Sequence, residues 1–481
     1  MGGSTLQRTP ATHGGTAADP ATRRGTAADG TGGTRRPPAA LVLGAALLGF
    51  FVIGLDASAV NVALPAMGRS LGGATTGLQW VVDAYTLMFA ALLLSAGALS
   101  DRLGANRVFA AGLAVFTAAS AACGLAPSLS LLIGARIVQG TAAAVMLPSS
   151  LALVRQAYPQ AAERARAIAL WTVGGAVSTA AGPVVGGALT SSLGWPSIFF
   201  LNLPVGLVTL LVLARVPASP RRHAALDLPG QLAAVVALAA LTYGVIEGGG
   251  AGFGSPQVIG SLALAVLAMA AFVAVEAKVA DPMVPLSLFR SRTVGVSLLI
   301  GFAVNAAFYG TVFVVGLFFQ QVLGLSAVGA GVMFVPMTAL VALANVGSAR
   351  AAARFGPRVP IAIGQLVCAA GLFSLLAVDA HTPRLLTALL LVPMGVGLGF
   401  AVPSLTAAML GDVPAERAGL AGGVLNAGRQ TGGALAVAAF GALVAQRATF
   451  VHGMHLSVLV SAVLLVATAG AALALPRSRR A

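Results

Sequence analysis

Charged side chains are scarce in this chain, and lysine is almost absent from it. Charged residues make up 9% of the 481 residues and hydrophobic ones 58%, and the mean hydropathy of +0.94 lies far above the range of soluble domains. The single lysine, Lys278, follows an alanine, so the chain has no GxxxxGK[ST] loop to cradle ATP phosphates. ATP hydrolysis by this polypeptide is therefore excluded. An ion gradient, simple diffusion or a separate ATPase subunit is left as the energy source.

Cysteines are few, and the usual sets of catalytic residues are missing. Cys123 and Cys368 both fall inside apolar runs, where we expect small packing residues rather than a disulfide or metal ligands. The sequence contains no recognisable nucleophile–base set and no cluster of metal ligands. A membrane-embedded enzyme is therefore the least favoured class, and no cofactor is expected.

Long apolar runs are abundant. Fourteen runs of about 20 residues recur along the chain, and each has the length that a roughly 30 Å hydrocarbon core requires of an α-helix. The runs do not alternate apolar and polar faces as the helices of soluble proteins do. The predicted fold class is therefore an all-α polytopic membrane protein with fourteen transmembrane helices. The predicted spans are residues 40–64, 78–98, 107–126, 130–153, 167–189, 197–215, 229–248, 257–277, 293–318, 329–349, 359–378, 385–409, 418–445 and 456–475.

The positive charges indicate how these spans are oriented. The net charge is +15, and with both termini inside, 23 of the 28 Lys and Arg residues fall in cytoplasmic segments. This is a strong positive-inside bias. A nucleic-acid partner would need a folded basic domain, and the sequence contains none. We predict a multi-pass protein of the cytoplasmic cell membrane with both termini in the cytoplasm.

The chain resembles itself at an offset of about 252 residues. The segment 102–104 (RLG) matches 354–356 (RFG), and Glu163-Arg164 matches Glu416-Arg417. Spans 1–6 therefore correspond to spans 9–14, with spans 7 and 8 inserted between two six-helix pseudo-repeat halves, a known plan for transporters. The predicted segments are a disordered cytoplasmic tail (1–38), an N-terminal half (39–215), a linker with two inserted helices (216–290), a C-terminal half (291–476) and a second cytoplasmic tail (477–481).

Several ionisable residues stand inside predicted spans, where charges are costly and usually face the bundle interior or an aqueous cavity. Asp56, Asp83 and Arg136 are predicted to share one layer in the outer part of the N-terminal half, with Asp83 nearest the surface. Burial raises the pKa of a carboxyl group and a nearby arginine lowers it, so such a group can act in a proton relay. The alternative is a static Asp–Arg pair that only holds helices together. Arg429 has no carboxylate at its depth, and we expect it in a cavity, facing an anionic part of a substrate or Asp56.

Span 5 carries a ridge of small side chains. Gly174, Ser178, Gly182 and Gly186 recur every four residues, which allows a neighbouring helix to approach closely. Pro183 is expected to bend the same helix. A small-residue ridge with a central proline favours a pivot between two conformations over ordinary tight packing.

The connection GALSDRLGANR between spans 2 and 3 concentrates charges on the predicted cytoplasmic side. Its arginines satisfy the positive-inside rule, whereas Asp101 gains nothing there unless it pairs with an arginine or a helix N-terminus. We interpret the connection as a gate whose charge contacts break and re-form as the cytoplasmic side opens and closes. The candidate gating residues are Gly97, Asp101, Arg102, Gly104 and Arg107.

These segments resemble the major facilitator superfamily, and specifically its fourteen-span drug:proton antiporter branch of the QacA/EmrB type. LDASAVNVALP is similar to the helix-1 motif of the branch, with Asp56 at its acidic position, and GALSDRLGANR is similar to the superfamily motif between helices 2 and 3. LIGARIVQG, with Arg136 and Gln139, resembles the helix-4 motif that the family links to proton transfer. GPVVGG, residues 182–187, is similar to the helix-5 motif associated with export. Span 10 lacks the acidic residue that some members with cationic drugs carry there, and Asn345 is its most polar group.

The resemblance implies a proton-coupled antiporter that exports amphiphilic drugs or antibiotics by alternating access, driven by the proton gradient and working as a monomer. The candidate proton-coupling residues are Asp56, Arg136 and Asp83. The candidate hinge residues are Gly174, Ser178, Gly182, Pro183, Gly186 and Gly187, and those expected at the cavity are Gln139, Arg429, Asn345 and Tyr85. The alternatives are a proton-coupled importer of a small metabolite and a membrane sensor or scaffold that does not transport.

Overall fold

A hydrocarbon core offers no hydrogen-bond partners to the backbone, so apolar runs of this length satisfy their amide groups internally as helices. The computed structural model describes Gly2 and residues 39–73, 75–221, 227–279, 282–413 and 418–475. From residue 39 onward the described chain is helical, with no β-strand. Apart from Gly2, the two predicted tails lie outside the described residues, as do Glu416 and Arg417 of the repeat.

The α-helices begin and end close to the predicted runs. In chain order they are α1 (Ala39–Leu71), α2 (Thr75–Leu103), α3 (Ala105–Gly124), α4 (Leu129–Ala157), α5 (Ala161–Leu193), α6 (Ser197–Phe200), α7 (Asn202–Leu213), α8 (Leu228–Ala251), α9 (Pro256–Lys278), α10 (Arg292–Gln321), α11 (Ala327–Met333), α12 (Val335–Phe355), α13 (Arg358–Ser374), α14 (Arg384–Leu390), α15 (Val392–Gly411), α16 (Ala418–Leu443) and α17 (Phe450–Ala472). The described residues also include short 3₁₀ segments at Leu286–Arg290, Leu375–Ala377 and Arg447–Thr449.

The number of membrane spans is smaller than the predicted fourteen when helices are counted by length and hydropathy. Ten helical segments of the described chain are long and apolar enough to cross a membrane, and two bent pairs raise the count to twelve. Of the fourteen predicted runs, 197–215 corresponds to the short apolar helix Ser197–Leu213, and 418–445 corresponds to α16, which is not among the counted spans. The structure therefore shows an all-helical membrane fold with ten to twelve spans, and the number fourteen stays a prediction.

The two bends follow from proline. The helical segments Arg166–Thr179 and Ala181–Leu193 of α5 meet at 43°. The ring of Pro183 clashes with the carbonyl four residues earlier, which belongs to Thr179 at the bend. Helices α11 and α12 meet at 42°, directly before Pro336. The bend that the sequence predicts in span 5 is therefore present.

The helices pack in two groups beside an inserted pair. Helix α1 packs against α5, α4 against α2 and α3, and α3 against α7. In the second group α10 packs against α16 and α17, and α15 lies between α12 and α13. Helices α8 and α9 pack on each other, and α8 contacts α2 and α16. We call α1–α7 the first helix group and α10–α17 the second helix group.

The two helix groups are held together at one end. The Gln79 side chain of α2 donates to the Ala438 carbonyl of α16 at 2.8 Å, and Gln320 of α10 donates to the Val62 carbonyl of α1 at 2.9 Å. The backbone N–H of Val328 donates to the Ser191 hydroxyl at 3.3 Å. Every hydrogen bond between the groups in the described part of the chain lies at this end, where α1 ends and α2 begins. We call it the closed end.

Candidate functional site

Asp56 of α1 and Arg136 of α4 form an ion pair inside the first helix group. The two residues are 3% and 1% exposed. Among the described residues this is the only ion pair between an acidic residue and an arginine or lysine. Because both charges have left water, the pair is stable only if further hydrogen bonds satisfy the remaining oxygens and N–H groups.

A polar network supplies those hydrogen bonds. Gln139 lies one turn after Arg136 on the same face of α4, as the i, i+3 spacing requires. Its amide nitrogen donates to Asp56 Oδ1 at 3.0 Å and to the Ser120 hydroxyl of α3 at 2.8 Å, and its Oε1 accepts from Arg136 at 2.7 Å. Asn202, at the start of α7, donates to Asp56 Oδ1 at 3.3 Å and to Ser120 at 3.2 Å. The network around the Asp56 carboxylate therefore joins four helices, α1, α3, α4 and α7.

The Arg136 guanidinium is also fixed from the side of α2. Its Nε donates to the Val81 carbonyl at 3.0 Å, and its central carbon lies 4.2 Å from the ring centroid of Tyr85, within cation–π range. Gly140 makes this approach possible, because a Cβ there would stand 2.3 Å from the Tyr85 carbonyl oxygen. The arginine is thus held by a carboxylate, an amide, a carbonyl and an aromatic face.

Asp83 of α2 lies between Val81 and Tyr85, the two residues of this helix that contact Arg136. Helix α2 begins at Thr75, three residues before the predicted span, and Asp83 is fully buried. Neither of its carboxylate oxygens has a hydrogen-bond partner among the described residues. It follows Gln79 by one turn, on the face of α2 that packs toward α16. The distance of Asp83 from the membrane surface stays a prediction, and the structure does not join Asp83 to the Asp56–Arg136 pair by a hydrogen bond.

A narrow cavity lies between the two helix groups, next to the ion pair. Its volume, taken as the space that the centre of a water molecule can occupy, is about 20 Å³, so the cavity is nearly closed in this conformation. Ala57 and Tyr85 are in its wall, so Asp56 is one residue away along α1, and Arg136 lies against the Tyr85 ring. The lining residues are Ala57, Val82, Tyr85, Thr86, Phe89, Tyr309, Gln430, Gly433 and Val437.

The four residues expected at the cavity fall in different places. Tyr85 lines it, whereas Gln139 is buried in the network around Asp56. Asn345 lies where α12 packs against Gly399 of α15, away from the lining residues. Arg429 is directly before the lining residue Gln430 and donates its Nε to Asn305 Oδ1 of α10 at 3.1 Å. It does not face Asp56, whose arginine partner is Arg136.

The connection between α2 and α3 is held by neutral groups in this conformation. Asp101, Arg102 and Arg107 are exposed, and none of them forms an ion pair with a described residue. Instead, the Asn106 amide donates to the Val216 carbonyl at 2.8 Å, in the segment that follows α7. Gly104 has φ +94° and packs against that segment, where a Cβ would stand 2.9 Å from a carbonyl oxygen. The charge contacts predicted for this connection are not formed here.

The small-residue ridge of α5 packs along α1. A Cβ added at Gly182 would overlap the Ser58 hydroxyl, and one at Gly186 would stand 2.8 Å from the Ala59 Cα. Gly174 faces Leu47, and Ser178 faces Gly54 in the same way. Gly187 points elsewhere: a Cβ there would stand 2.4 Å from the Ala327 carbonyl of α11, across the boundary between the helix groups.

Comparison with known proteins gives the family. The sequence profile of the Major Facilitator Superfamily matches residues 46–437. The chain belongs to the Major Facilitator Superfamily. It is 38% identical over 429 residues to the methylenomycin A resistance protein of Streptomyces coelicolor, covering 89% of this chain and 90% of that protein.

Two further relatives of this superfamily member are informative. The tetracenomycin C resistance and export protein of Streptomyces glaucescens is 34% identical over 418 residues, covering 86% of this chain and 77% of that protein. The crystal structure of a D-xylose-proton symporter superposes with a TM-score of 0.66 over 90% of this chain and 96% of the symporter chain. Its 13% identity makes it evidence for the fold alone. The predicted superfamily membership is confirmed, and the two proteins named from sequence similarity are antibiotic-resistance proteins.

Sequence reasoning did not single out two residues of the network in this superfamily member. Ser120 and Asn202 are both at most 2% exposed and both belong to the network around Asp56. Each is an isolated polar residue in an apolar run, in AASAAC and in FFLNLPVG. That isolation is the only signal that the sequence offers for them.

Proposed function

We propose that this chain is a proton-coupled antiporter that exports amphiphilic small molecules across the cytoplasmic membrane by alternating access. The observation that carries the proposal is the buried Asp56–Arg136 pair, placed one residue from the cavity between the two helix groups. A resistance and export protein among the relatives supports export as the direction. The substrate, the proton and the lipid bilayer are the partners, and the protein works as a monomer without a cofactor.

Asp56 carries the proton in this proposal. When the carboxylate is ionised, Arg136, Gln139 and Asn202 all direct N–H groups at it. A proton on Asp56 removes the charge that holds Arg136, so the two states of the carboxyl favour different arrangements of α1 and α4. Protonation from outside would favour the return of the empty protein, and release inside would favour loading with substrate. Asp83, fully buried beside α16, is a second candidate carrier.

The closed end is the external side in the proposed orientation. Both termini lie in the cytoplasm, fourteen helices span the membrane, and the two six-helix halves meet at the substrate cavity as in other transporters built from repeats. The hydrogen bonds of Gln79, Gln320 and Val328 then close the cavity to the outside. Helix α5, with its bend and its contacts to α1 and α11, is the hinge. The segment 97–107, from the last turns of α2 to the first turn of α3, is the cytoplasmic gate.

Proton-coupled export is tested with inside-out membrane vesicles that carry an acid interior, read with a pH-sensitive dye. Amphiphiles that are anionic, neutral or cationic are added in turn. We expect at least one of them to release protons from vesicles that contain the native protein, because export into the lumen drives protons out. The Asp56→Asn variant should show no release, since an amide cannot exchange the proton.

The control variant is Asp379→Asn. Asp379 is an exposed carboxylate in the connection before α14, and the hydrogen bond donated by the Thr382 hydroxyl lowers the pKa of its carboxyl group, with help from the His381 N–H. The Asp379→Asn variant therefore lacks an ionised carboxylate that is not part of the cavity, and proton release should stay unchanged. Undiminished release with Asp56→Asn, or none from the folded native protein across the whole panel, would rule out the proposed coupling.

A further inference from the structure

Arg429 of α16 forms no ion pair with a carboxylate among the residues that the structure describes. An arginine stays protonated in proteins, so its charge must be compensated by an anion or by water. Helices α10 to α17 contain no Asp or Glu at any position. The side-chain acceptor that contacts Arg429 among the described residues is Asn305 Oδ1, which is neutral. Arg136, in contrast, directs its donors to Asp56, Gln139 and Val81.

The geometry of the guanidinium leaves donors available. Asn305 takes the Nε–H, and no described residue accepts a hydrogen bond from either terminal nitrogen. The planar terminal N–H groups of an arginine match the two oxygens of a carboxylate. Asn305 is 4% exposed and Arg429 is half-buried, so the buried amide fixes the Arg429 side chain through its Nε–H.

Arg429 also stands beside the cavity. Gln430 and Gly433, one residue and one turn further along α16, line it, and so does Tyr309, one turn after Asn305 on α10. Helices α10 and α16 run side by side here, because Gly301 faces the Arg429 side chain and Gly433 faces Tyr309. The Arg429–Asn305 pair is therefore next to Gln430 and one turn from Gly433 and Tyr309, on the side away from the closed end.

The rest of the cavity wall suits the apolar part of an amphiphile. Its lining side chains are uncharged and include Tyr85, Phe89 and Tyr309. Asp83 is adjacent to the lining residue Val82 but belongs to the face of α2 that packs on α16, and Asp56 is paired with Arg136. A cation entering this cavity would approach Arg429 without a carboxylate in the wall to receive it, whereas an anion would gain a charge-assisted contact.

We propose that Arg429 and Asn305 form an anion subsite, and that the transported molecules are amphiphiles with a carboxylate at their polar end. That these molecules are transported rests on the proposed function, whereas the anion subsite rests on the geometry alone. The aromatic residues of the wall hold the apolar body, and the Arg429 guanidinium binds the carboxylate.

Binding to the purified full-length protein tests the subsite without requiring transport. The probes are dansyl-phenylalanine, which is anionic, its neutral methyl ester, and the cation dansylcadaverine, all followed by fluorescence anisotropy. We expect the native protein to prefer the anion over the ester by at least roughly tenfold, the size expected of a hydrogen-bonded charge pair. Arg429→Gln should bind anion and ester equally, and Arg429→Lys should keep part of the preference.

Two further variants complete the experiment. Arg350→Gln removes an exposed arginine at the end of α12 and should leave the preference unchanged. Asn305→Ala, which frees the Arg429 side chain, should weaken anion binding and keep the ester. The proposal is overturned if the folded native protein binds no anionic probe up to about 1 mM, if it binds the ester or the cation as tightly, or if Arg429→Gln keeps the anion preference. Anion-selective binding without proton release from vesicles would refute the antiport and leave the subsite standing.

Discussion

At the scale of single residues, the two oxygens of the Asp56 carboxylate are compensated from different directions. Arg136 contacts Oδ2, whereas Gln139 and Asn202 both donate to Oδ1. Ser120 receives hydrogen bonds from the same two amides and donates to the Phe116 carbonyl of its own helix. Removing one donor therefore leaves buried acceptors on Asp56 and Ser120 with fewer partners. Unmet buried acceptors cost more than the mean worth of a hydrogen bond.

Replacing Asn202 by leucine should lower stability and transport together. The change keeps the size of the side chain and removes a hydrogen bond to a charged group, which is worth about 2 kcal/mol. We expect the apparent midpoint of thermal unfolding in detergent to fall by a few degrees, and substrate-driven proton release from vesicles to slow.

Thr209→Val is the matched control for Asn202→Leu. Thr209 is buried on the same helix, α7, but its hydroxyl donates to the Val205 carbonyl of its own turn at 2.7 Å. Valine keeps the shape, and Val205 retains its helical hydrogen bond, so both measurements should stay near native. An Asn202→Leu protein as stable and as active as Thr209→Val would show that the network around Asp56 does not depend on Asn202.

The sequence was sufficient to predict part of this site. Charged residues inside apolar runs are conspicuous because burying a charge in the bilayer costs free energy, and this made Asp56, Asp83 and Arg136 predictable as site residues. Which acid meets the arginine depends on the rotation of α1 and α2 about their axes, and hydropathy along the chain does not contain that information. Ser120 and Asn202 are cheap to bury, so nothing in the sequence distinguished them from ordinary polar residues.

At the scale of the helices, α5 packs against two neighbouring helices through different glycines. Gly182 and Gly186 face α1 inside the first helix group, whereas Gly187 faces α11 of the second. The four-residue ridge and the bend near Pro183 follow from local rules and were predictable. The helix that packs on each face was not predictable, because a small-residue ridge indicates only that some helix can approach closely and does not identify that helix.

Gly187→Ala should loosen the closed end. The added Cβ would stand 2.4 Å from the Ala327 carbonyl oxygen, which is backbone and cannot rotate away, so α5 and α11 must separate. A bias of about 1 kcal/mol against the closed arrangement changes its population about fivefold. The measurement is disulfide cross-linking between Ser191→Cys and Val328→Cys, whose native groups are in hydrogen-bond contact, with Cys123 and Cys368 replaced by alanine.

Gly260→Ala in α9 is the control for the cross-linking experiment, because a Cβ there meets no atom within 4 Å. It should leave the yield of the cross-link as high as in the parent protein. If Gly187→Ala also cross-links like the parent, the close approach of α5 and α11 does not limit closure.

At the scale of the whole molecule, the short helix Ser197–Leu213 and helix α16 decide whether the number of spans is twelve or fourteen. The superfamily fold follows from apolar runs and an internal repeat, both visible in the sequence. The exact count does not, because Ser197–Leu213 is short for a span and α16 carries Arg429 among apolar residues. Packing within the bundle, rather than hydropathy, determines whether such helices can cross.

Cysteine labelling tests the proposed orientation and the place of the inserted pair. Gly254 is exposed in the connection between α8 and α9, and Ala218 is exposed in the segment after α7. The two native cysteines, both buried, are replaced by alanine. Each introduced cysteine is then the one thiol of the protein. If α8 and α9 both span the membrane, these two sites lie on opposite sides of it.

A membrane-impermeant maleimide should therefore label Gly254→Cys in intact cells. It should label Ala218→Cys only after permeabilisation, since positive residues are concentrated on that side. The reverse pattern would invert the orientation and make the closed end cytoplasmic. Labelling of both sites from the same side would mean that α8 does not cross the membrane, and the fourteen-span arrangement would then be wrong. The expected pattern places the closed end outside, as export from a cytoplasm-facing cavity requires.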